Sequence, residues 1–363
     1  MTDKFGPEYI VKVYNPNIGM KGFLVVDNTA FGPGKGGVRM TPNVTEEEVF
    51  RLARAMTWKN ALAELPFGGA KSGIVWSGGS SDLKKKHIQS FALAIKPFLL
   101  KKYIAGPDVS AGEKEMKWFV EAAKARQAAT GKPRAMAGLP HELGSTGFGV
   151  AHSAAVTIQF SGLDIKKTKV AIEGFGNVGT FAFKHLQQMG ARIVAVSDSK
   201  GMIFNEEGFD VRKLLALKKS GKSVIDYPQG QKFGRDAIFD LAVDVLIPAS
   251  VTDVINEKNK NNIKAKIIVE GANIPMRENI EEELRKKGIL IIPDFVANSG
   301  GVISSYAEYR GWGAEKMFEL VKSKITKLTK TVLEESAKNK KSPREAALQI
   351  AQAKVEAKMK KKK

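Results

Sequence analysis

Between residues 45 and 64 apolar side chains return at helical spacing, with Val49, Leu52, Ala53, Met56 and Ala63 marking one core-facing stripe. Thr45 followed three residues later by Glu48 is a capping-box pattern, so the helix is expected to start there. Residues 9–14 and 22–27 read as strands separated by the turn signal Asn15-Pro16-Asn17, and residues 84–100 read as a second helix. Up to about residue 145 the pattern therefore predicts a sheet with helices packed on it.

From Lys169 the pattern becomes a regular alternation. Val170-Ala171-Ile172 is a short apolar strand, Gly174-Phe175-Gly176-Asn177-Val178-Gly179 follows at once, and a helical pattern runs through Phe183 and Leu186. A second apolar strand over 192–198 then ends in Asp198. This order of strand, glycine run, helix and acid is the dinucleotide-binding fingerprint: the glycines let backbone approach a pyrophosphate, and the helix N-terminus offers it free N–H groups. Gly174, Gly176, Asn177, Val178, Gly179 and Asp198 are the cofactor candidates it supplies. Further apolar runs at 243–247, 267–269 and 289–292 predict a mostly parallel sheet buried on both faces. Ligands of such sheets collect at the carboxyl ends of the strands, where Pro248-Ala249, Glu270-Gly271-Ala272-Asn273 and Asp294 lie, with Asn298-Ser299-Gly300-Gly301 shortly after. Ser342-Pro343-Arg344-Glu345 opens a last helix with an N-cap, a proline at the first turn and a capping-box glutamate. The expected fold is thus α/β with two domains: a mixed α/β domain over 1–145, a Rossmann-like domain over 146–329, and a helical segment over 330–363 that packs back on the first.

Composition narrows the function. The 363 residues are 43% hydrophobic and 26% charged, as in ordinary globular chains, and no uninterrupted apolar span of membrane length occurs. Met1-Thr2-Asp3-Lys4-Phe5 has no apolar core behind a basic start, so a cytoplasmic protein is expected. With no cysteine, disulfides and thiolate chemistry are excluded. A formal charge of +20 raises the question of nucleic acid, but the lysines are spread along the chain, and the one dense block, Lys358-Met359-Lys360-Lys361-Lys362-Lys363, reads as a solvated end. Neither specific nucleic-acid binding nor membrane attachment is expected. The scattered His87, His141, His152 and His185 form no zinc motif, and no metal is expected.

Two lysines stand out against this background. Lys59 falls on or beside the apolar stripe of the first predicted helix, and Lys71 sits inside Gly68-Gly69-Ala70-Lys71-Ser72-Gly73. A desolvated ammonium is costly unless an anion meets it. A lone lysine of this kind is ordinarily a snorkelling one, but two of them, separated by a turn and a short loop, can converge on one small anion.

Lys35-Gly36-Gly37-Val38-Arg39, Met56-Thr57-Trp58-Lys59-Asn60, Pro66 to Lys71, Gly106-Pro107-Asp108-Val109, the glycine run and Ala297 to Val302 with Ser305 occur in an order that resembles the glutamate, leucine, phenylalanine and valine dehydrogenase family, most closely its glutamate branch. The resemblance implies that Lys71 is catalytic and that Asp108 exchanges protons with the substrate nitrogen. It implies that Lys59 binds the α-carboxylate, and that Lys35 and Ser305 hold a distal carboxylate where enzymes for leucine have apolar residues. It further implies that Thr146 and Asn298 lie near the nicotinamide and Asn273 near its ribose. The activity so implied is reversible NAD(P)-dependent oxidative deamination of L-glutamate to 2-oxoglutarate and ammonia, in a homohexamer with the active site in a cleft between the domains. A branched-chain amino-acid dehydrogenase is the alternative. Crowding by Lys35 and Lys59, with partial desolvation, is expected to lower the Lys71 pKa. The chain departs from the family in its short region before Lys35, and Pro140 to Ser145 lacks a common arginine. NAD and NADP both remain open, since Asp198 can accept ribose hydroxyls while Ser197, Ser199 and Lys200 can receive a 2′-phosphate.

Overall fold

A computed structural model describes residues 2–361. Its chain forms two compact units: one takes residues up to Leu143, Val302–Met317 and residues from Leu348 onward, the other Gly144–Gly301 and Phe318–Ala347.

The strands of the first unit are β1 (Tyr9–Asn15), β2 (Met20–Asn28), β3 (Gly34–Lys35), β4 (Val38–Thr41), β5 (Gly68–Val75) and β6 (Tyr103–Ile104). They lie in the order β1-β2-β5-β3-β6, with β4 also paired to β5. Helices α1 (Glu46–Leu62), α2 (Ser81–Ala94) and α3 (Glu113–Ala123) belong to this unit. Met20, Leu24, Phe91, Tyr103 and Phe119 are in its core. The first helix starts where the capping signal put it, Thr45 Oγ1 accepting from the Glu48 amide at 3.2 Å. Only half of the box forms, because the Glu48 carboxylate turns instead to Arg39. The second helix differs from the expected 84–100. It begins earlier, where Ser80 Oγ accepts from the Leu83 amide, and stops at Ala94 because Pro97 cannot continue it.

The second unit contains α4 (Ser145–Phe160), β7 (Lys169–Glu173), α5 (Asn177–Gln188), β8 (Arg192–Asp198), β9 (Gly201–Phe204), α6 (Val211–Lys219), β10 (Gln231–Phe233), β11 (Val245–Pro248), β12 (Ile267–Val269), α7 (Glu278–Lys286), β13 (Leu290–Ile292) and α8 (Asp294–Ala297). Its sheet runs β10-β9-β8-β7-β11-β12-β13, parallel from β8 to β13 and antiparallel at the β9 and β10 edge. The central strands are buried almost throughout, which is why they read as unbroken apolar runs.

Three helices complete the chain: α9 (Gly300–Tyr309), α10 (Ala314–Asn339) and α11 (Pro343–Lys360). The segment expected as one helical stretch over 330–363 is broken at Lys340, which has a positive φ of 54°. At the start of α11 the capping box forms completely, with Glu345 Oε2 accepting from the Ser342 amide and Ser342 Oγ from the Glu345 amide. The residues of α11 from Leu348 onward group with the first unit and those before it with the second. Lys362 and Lys363 of the basic tail lie outside the described residues. No helix among the described residues is long and apolar enough to cross a membrane, and no cluster of metal-ligating side chains occurs among them.

Candidate active site

In the first unit β4 and β5 run parallel, pairing Val38 with Ser72 and Arg39 with Gly73. This places Arg39 and Lys71 on adjacent strands. Asp108 follows β6 in a turn closed by reciprocal backbone hydrogen bonds with Ala111 at 3.0 and 2.9 Å. The three side chains meet: Lys71 Nζ is 3.1 Å and Arg39 Nε 2.8 Å from the same oxygen, Asp108 Oδ2. Arg39 Nη1 donates to Glu48 Oε1 at 2.7 Å from its other end. Lys71 is 7% exposed. Burial is the main force lowering its pKa, Arg39 adds to it, and the Asp108 carboxylate opposes it. Of the expected crowding, Lys35 and Lys71 do repel one another, and Arg39 is a further repelling cation that sequence reasoning had not tied to Lys71. Burial alone would raise the Asp108 carboxyl, but Lys71 and Arg39 outweigh that and hold it below the usual range.

Lys35, on β3, is 3% exposed, and its Nζ donates to the Ala105 carbonyl at 2.9 Å. Its pKa falls from 10.5 to about 7, first through burial and then through repulsion from Lys71 and Lys132, against attraction from Glu308. The glycine at 106 makes room for this amine: a Cβ there would come within 2.5 Å of Lys35 Nζ. Lys59 is half-buried on the last turn of α1. Asn60 beside it donates to the Gly68 carbonyl at 2.7 Å, and a Cβ on Gly69 would stand 2.0 Å from Thr57 Oγ1. Lys59 and Lys71, each two residues further along, therefore leave from segments in direct contact. Ser305 is half-buried on α9, next to Tyr306, whose ring packs edge-on against Phe67 at 5.8 Å.

Sequence reasoning gave no site role to Arg39, read Glu48 only as a capping-box member, and did not find a buried pair of Lys132 with Glu308 at 2.6 Å. The Glu308 carboxylate also accepts from the amides of Gly131 and Leu139, both at 2.9 Å, and so orders the 131–139 loop. Arg39 stood in a noted motif; nothing in the spacing tied it to a residue 69 positions away.

In the second unit the glycine run has the geometry of a phosphate-binding turn. Gly174 has φ of +89°, and a Cβ on Gly179 would lie 1.9 Å from the Gly174 carbonyl oxygen, so strand and helix pack too closely for any side chain. Gly176 is the N-cap of α5 with no capping side chain, and a Cβ there would meet nothing within 4 Å. The helix N-terminus is thus open, as a pyrophosphate requires, and Asn177 and Val178 form its first turn. Asp198 at the end of β8 accepts from Ser223 Oγ (2.8 Å), the Val224 amide (2.9 Å) and the Lys200 amide (2.9 Å). These bonds outweigh burial and hold its pKa down. Ser197 is fully buried within the strand, which removes it as a partner for a 2′-phosphate, while Ser199 and Lys200 are exposed. At the neighbouring strand ends Ala249 is buried, its amide donating to the Glu173 carbonyl at 2.7 Å. Asn298 Nδ2 donates to Asn273 Oδ1 at 2.9 Å. Thr146 Oγ1 lies 3.1 Å from where a Cβ on Gly301 would stand, three residues beyond Asn298. The predicted cofactor residues are thus brought to the carboxyl end of one sheet, and those predicted for substrate and chemistry lie in the first unit.

Comparison with known proteins agrees with this geometry. A family model described as Glutamate/Leucine/Phenylalanine/Valine dehydrogenase matches residues 138–363, and one described as Glu/Leu/Phe/Val dehydrogenase, dimerisation domain, matches residues 7–125. The chain is 41% identical over 346 residues to a glutamate dehydrogenase of Aeropyrum pernix, covering 89% of this chain and 82% of that protein. It is also 41% identical over 301 residues to an NADP-specific glutamate dehydrogenase of Saccharolobus shibatae, covering 78% and 69%. Among solved structures, glutamate dehydrogenase from Peptoniphilus asaccharolyticus superposes with a TM-score of 0.87 at 29% identity, over 98% of this chain and 92% of that one. The hetero-hexameric glutamate dehydrogenase from Thermus thermophilus, in its Leu-bound form, gives 0.86 at 27% identity, over 98% and 90%.

Proposed function

The chain belongs to the glutamate/leucine/phenylalanine/valine dehydrogenase family, and from that premise we propose that it catalyses the reversible NAD(P)-dependent oxidative deamination of L-glutamate to 2-oxoglutarate and ammonia. The observation that carries the substrate is Lys35, a buried amine whose one hydrogen-bond acceptor among the described residues is the Ala105 carbonyl. A distal carboxylate restores its charge and pairs it, whereas an apolar side chain leaves it unpaired, and sites built around a polar partner reject analogues that lack it.

The residues divide the work. Lys59 takes the α-carboxylate; Lys35 and Ser305 take the distal one. The bound nicotinamide would supply the hydride acceptor for the α-hydrogen, at a site made by Thr146, Asn273 and Asn298, with the pyrophosphate on Gly174, Gly176, Asn177, Val178 and Gly179 and the strand-end Ala249 alongside. Lys71, with its proton affinity lowered, removes a proton from water attacking the substrate imine and steadies the carbinolamine oxygen. Asp108, held ionised, takes a proton from the substrate ammonium before hydride transfer and returns it to the nitrogen as ammonia departs. Asp198 bonds ribose hydroxyls in NAD; exposed Ser199 and Lys200 beside it accommodate the extra phosphate of NADP, the cofactor named for the Saccharolobus relative. The match to a dimerisation domain and the hetero-hexameric Thermus structure support a six-subunit assembly, here read as a homohexamer, which light scattering would check.

The test is an absorbance assay for reduced nicotinamide with L-glutamate, L-leucine and L-phenylalanine, each with NAD and NADP. A glutamate kcat/KM at least about 100-fold above that for leucine is expected. Preference for leucine, or no substrate-dependent signal, would overturn the proposal.

A further inference from the structure

We propose that Arg39 is a positioning residue that keeps Asp108 ionised while Lys71 gives up its proton, so that the two act as separate acid–base groups. The inference rests on the reaction proposed above. Lys71 Nζ and Arg39 Nε both sit on Asp108 Oδ2, at 3.1 and 2.8 Å, and the far end of the guanidinium is anchored on Glu48 at 2.7 Å. Were Lys71 the only counter-ion, its neutral form would strand a largely buried carboxylate. That carboxylate would then bind the proton and hand it back, and the base would be quenched. A guanidinium does not deprotonate in proteins, so Arg39 leaves a fixed positive charge on Oδ2 in both states of Lys71. The double grip on Oδ2 also fixes the orientation of the carboxylate.

The charged and titratable neighbours are few. Asp108 is faced by Arg39 from β4, Lys71 from β5 and the Tyr103 phenol from β6, while Glu48 of α1 stands behind Arg39. Lys71 feels these carboxylates and Arg39, and it interacts repulsively with Lys35 of β3. Removing Arg39 raises the proton affinity of Asp108, which loses a cation, and that of Lys71, which loses a repelling one. Both changes move the requirement for a deprotonated base to higher pH.

The experiment is the pH profile of kcat/KM for glutamate at saturating cofactor in the full-length enzyme, Arg39→Gln and Arg39→Lys, with reduced-cofactor affinity measured in parallel. In Arg39→Gln the acidic limb should move alkaline by about 1–3 pH units, with activity partly recovered at high pH and cofactor affinity unchanged. Arg39→Lys keeps a charge but cannot hold both carboxylates, and should shift less in the same direction. A folded Arg39→Gln that loses the same fraction of activity at every pH would reduce Arg39 to a structural part and overturn the proposal. If that variant does not fold, Arg39→Lys decides by the same criterion. A wild-type enzyme with no glutamate-dependent signal would sink the functional reading itself, whereas an active wild type with unshifted variants would sink only the role of Arg39.

Discussion

Replacing Lys35 with methionine should make the protein more stable and a poorer enzyme for glutamate. The side chain is 3% exposed, its Nζ donates to the Ala105 carbonyl, and burial takes its pKa from 10.5 to about 7. At ~1.4 kcal/mol per tenfold change in protonation, that interval places a ceiling of about 5 kcal/mol on the destabilisation it causes. The sign follows from proton counting. Between about pH 7 and 10.5 the unfolded chain holds a proton on Lys35 that the folded chain has released, so stability rises with pH through that window. The penalty is full below about pH 7 and gone near 10.5. Methionine keeps the bulk and removes the charge, so its stabilisation should be largest at the acidic end and vanish at the alkaline end. The distal carboxylate of the substrate, by contrast, loses its partner, at a cost of about 2–5 kcal/mol in kcat/KM, or roughly 30-fold to several thousandfold. Urea melts of both proteins at about pH 6, 8 and 10, with glutamate kinetics, are the assays. Equal melts across that range would refute the buried-amine argument, and an unchanged glutamate kcat/KM would remove Lys35 from the pocket.

The other consequences concern the supports around the two sites. Glu308→Gln strands the Lys132 ammonium, buried at 2.6 Å from it, and should cost about 3–5 kcal/mol in urea unfolding, most of it regained when Lys132 is also made apolar. Gly176→Ala places a methyl in open space, so it should leave the melting temperature near wild type while weakening cofactor binding in fluorescence titrations. Gly179→Ala forces a Cβ toward the Gly174 carbonyl oxygen at 1.9 Å and should destabilise the fold itself, seen as a lower melting temperature even without cofactor.

What could be read in the sequence was local. The strand at 192–198 and its terminal acid, the glycine run and the capped starts at Thr45 and Ser342 all depend on neighbours a few residues away, and the structure has them. Boundaries slipped where a polar residue bonds to a distant partner. Strand β11 starts at Val245 instead of 243 because Asp244 turns its carboxylate to the Lys169 amide at 2.9 Å. The same holds at Glu48, an apparent capping-box member whose side chain reaches Arg39 across the fold. Lys59, Lys71 and the acid of the Pro-Asp-Val run were visible as chemistry. The guanidinium that organises Lys71 and that acid was not, because Arg39 and Asp108 become neighbours only when β4, β5 and β6 assemble.

The most direct measurement is glutamate-dependent cofactor reduction by Lys71→Ala, with cofactor affinity determined on the same preparation. The account predicts turnover at background and a cofactor Kd equal to wild type. A variant that keeps most of its kcat would contradict the assignment of the buried amine as the base.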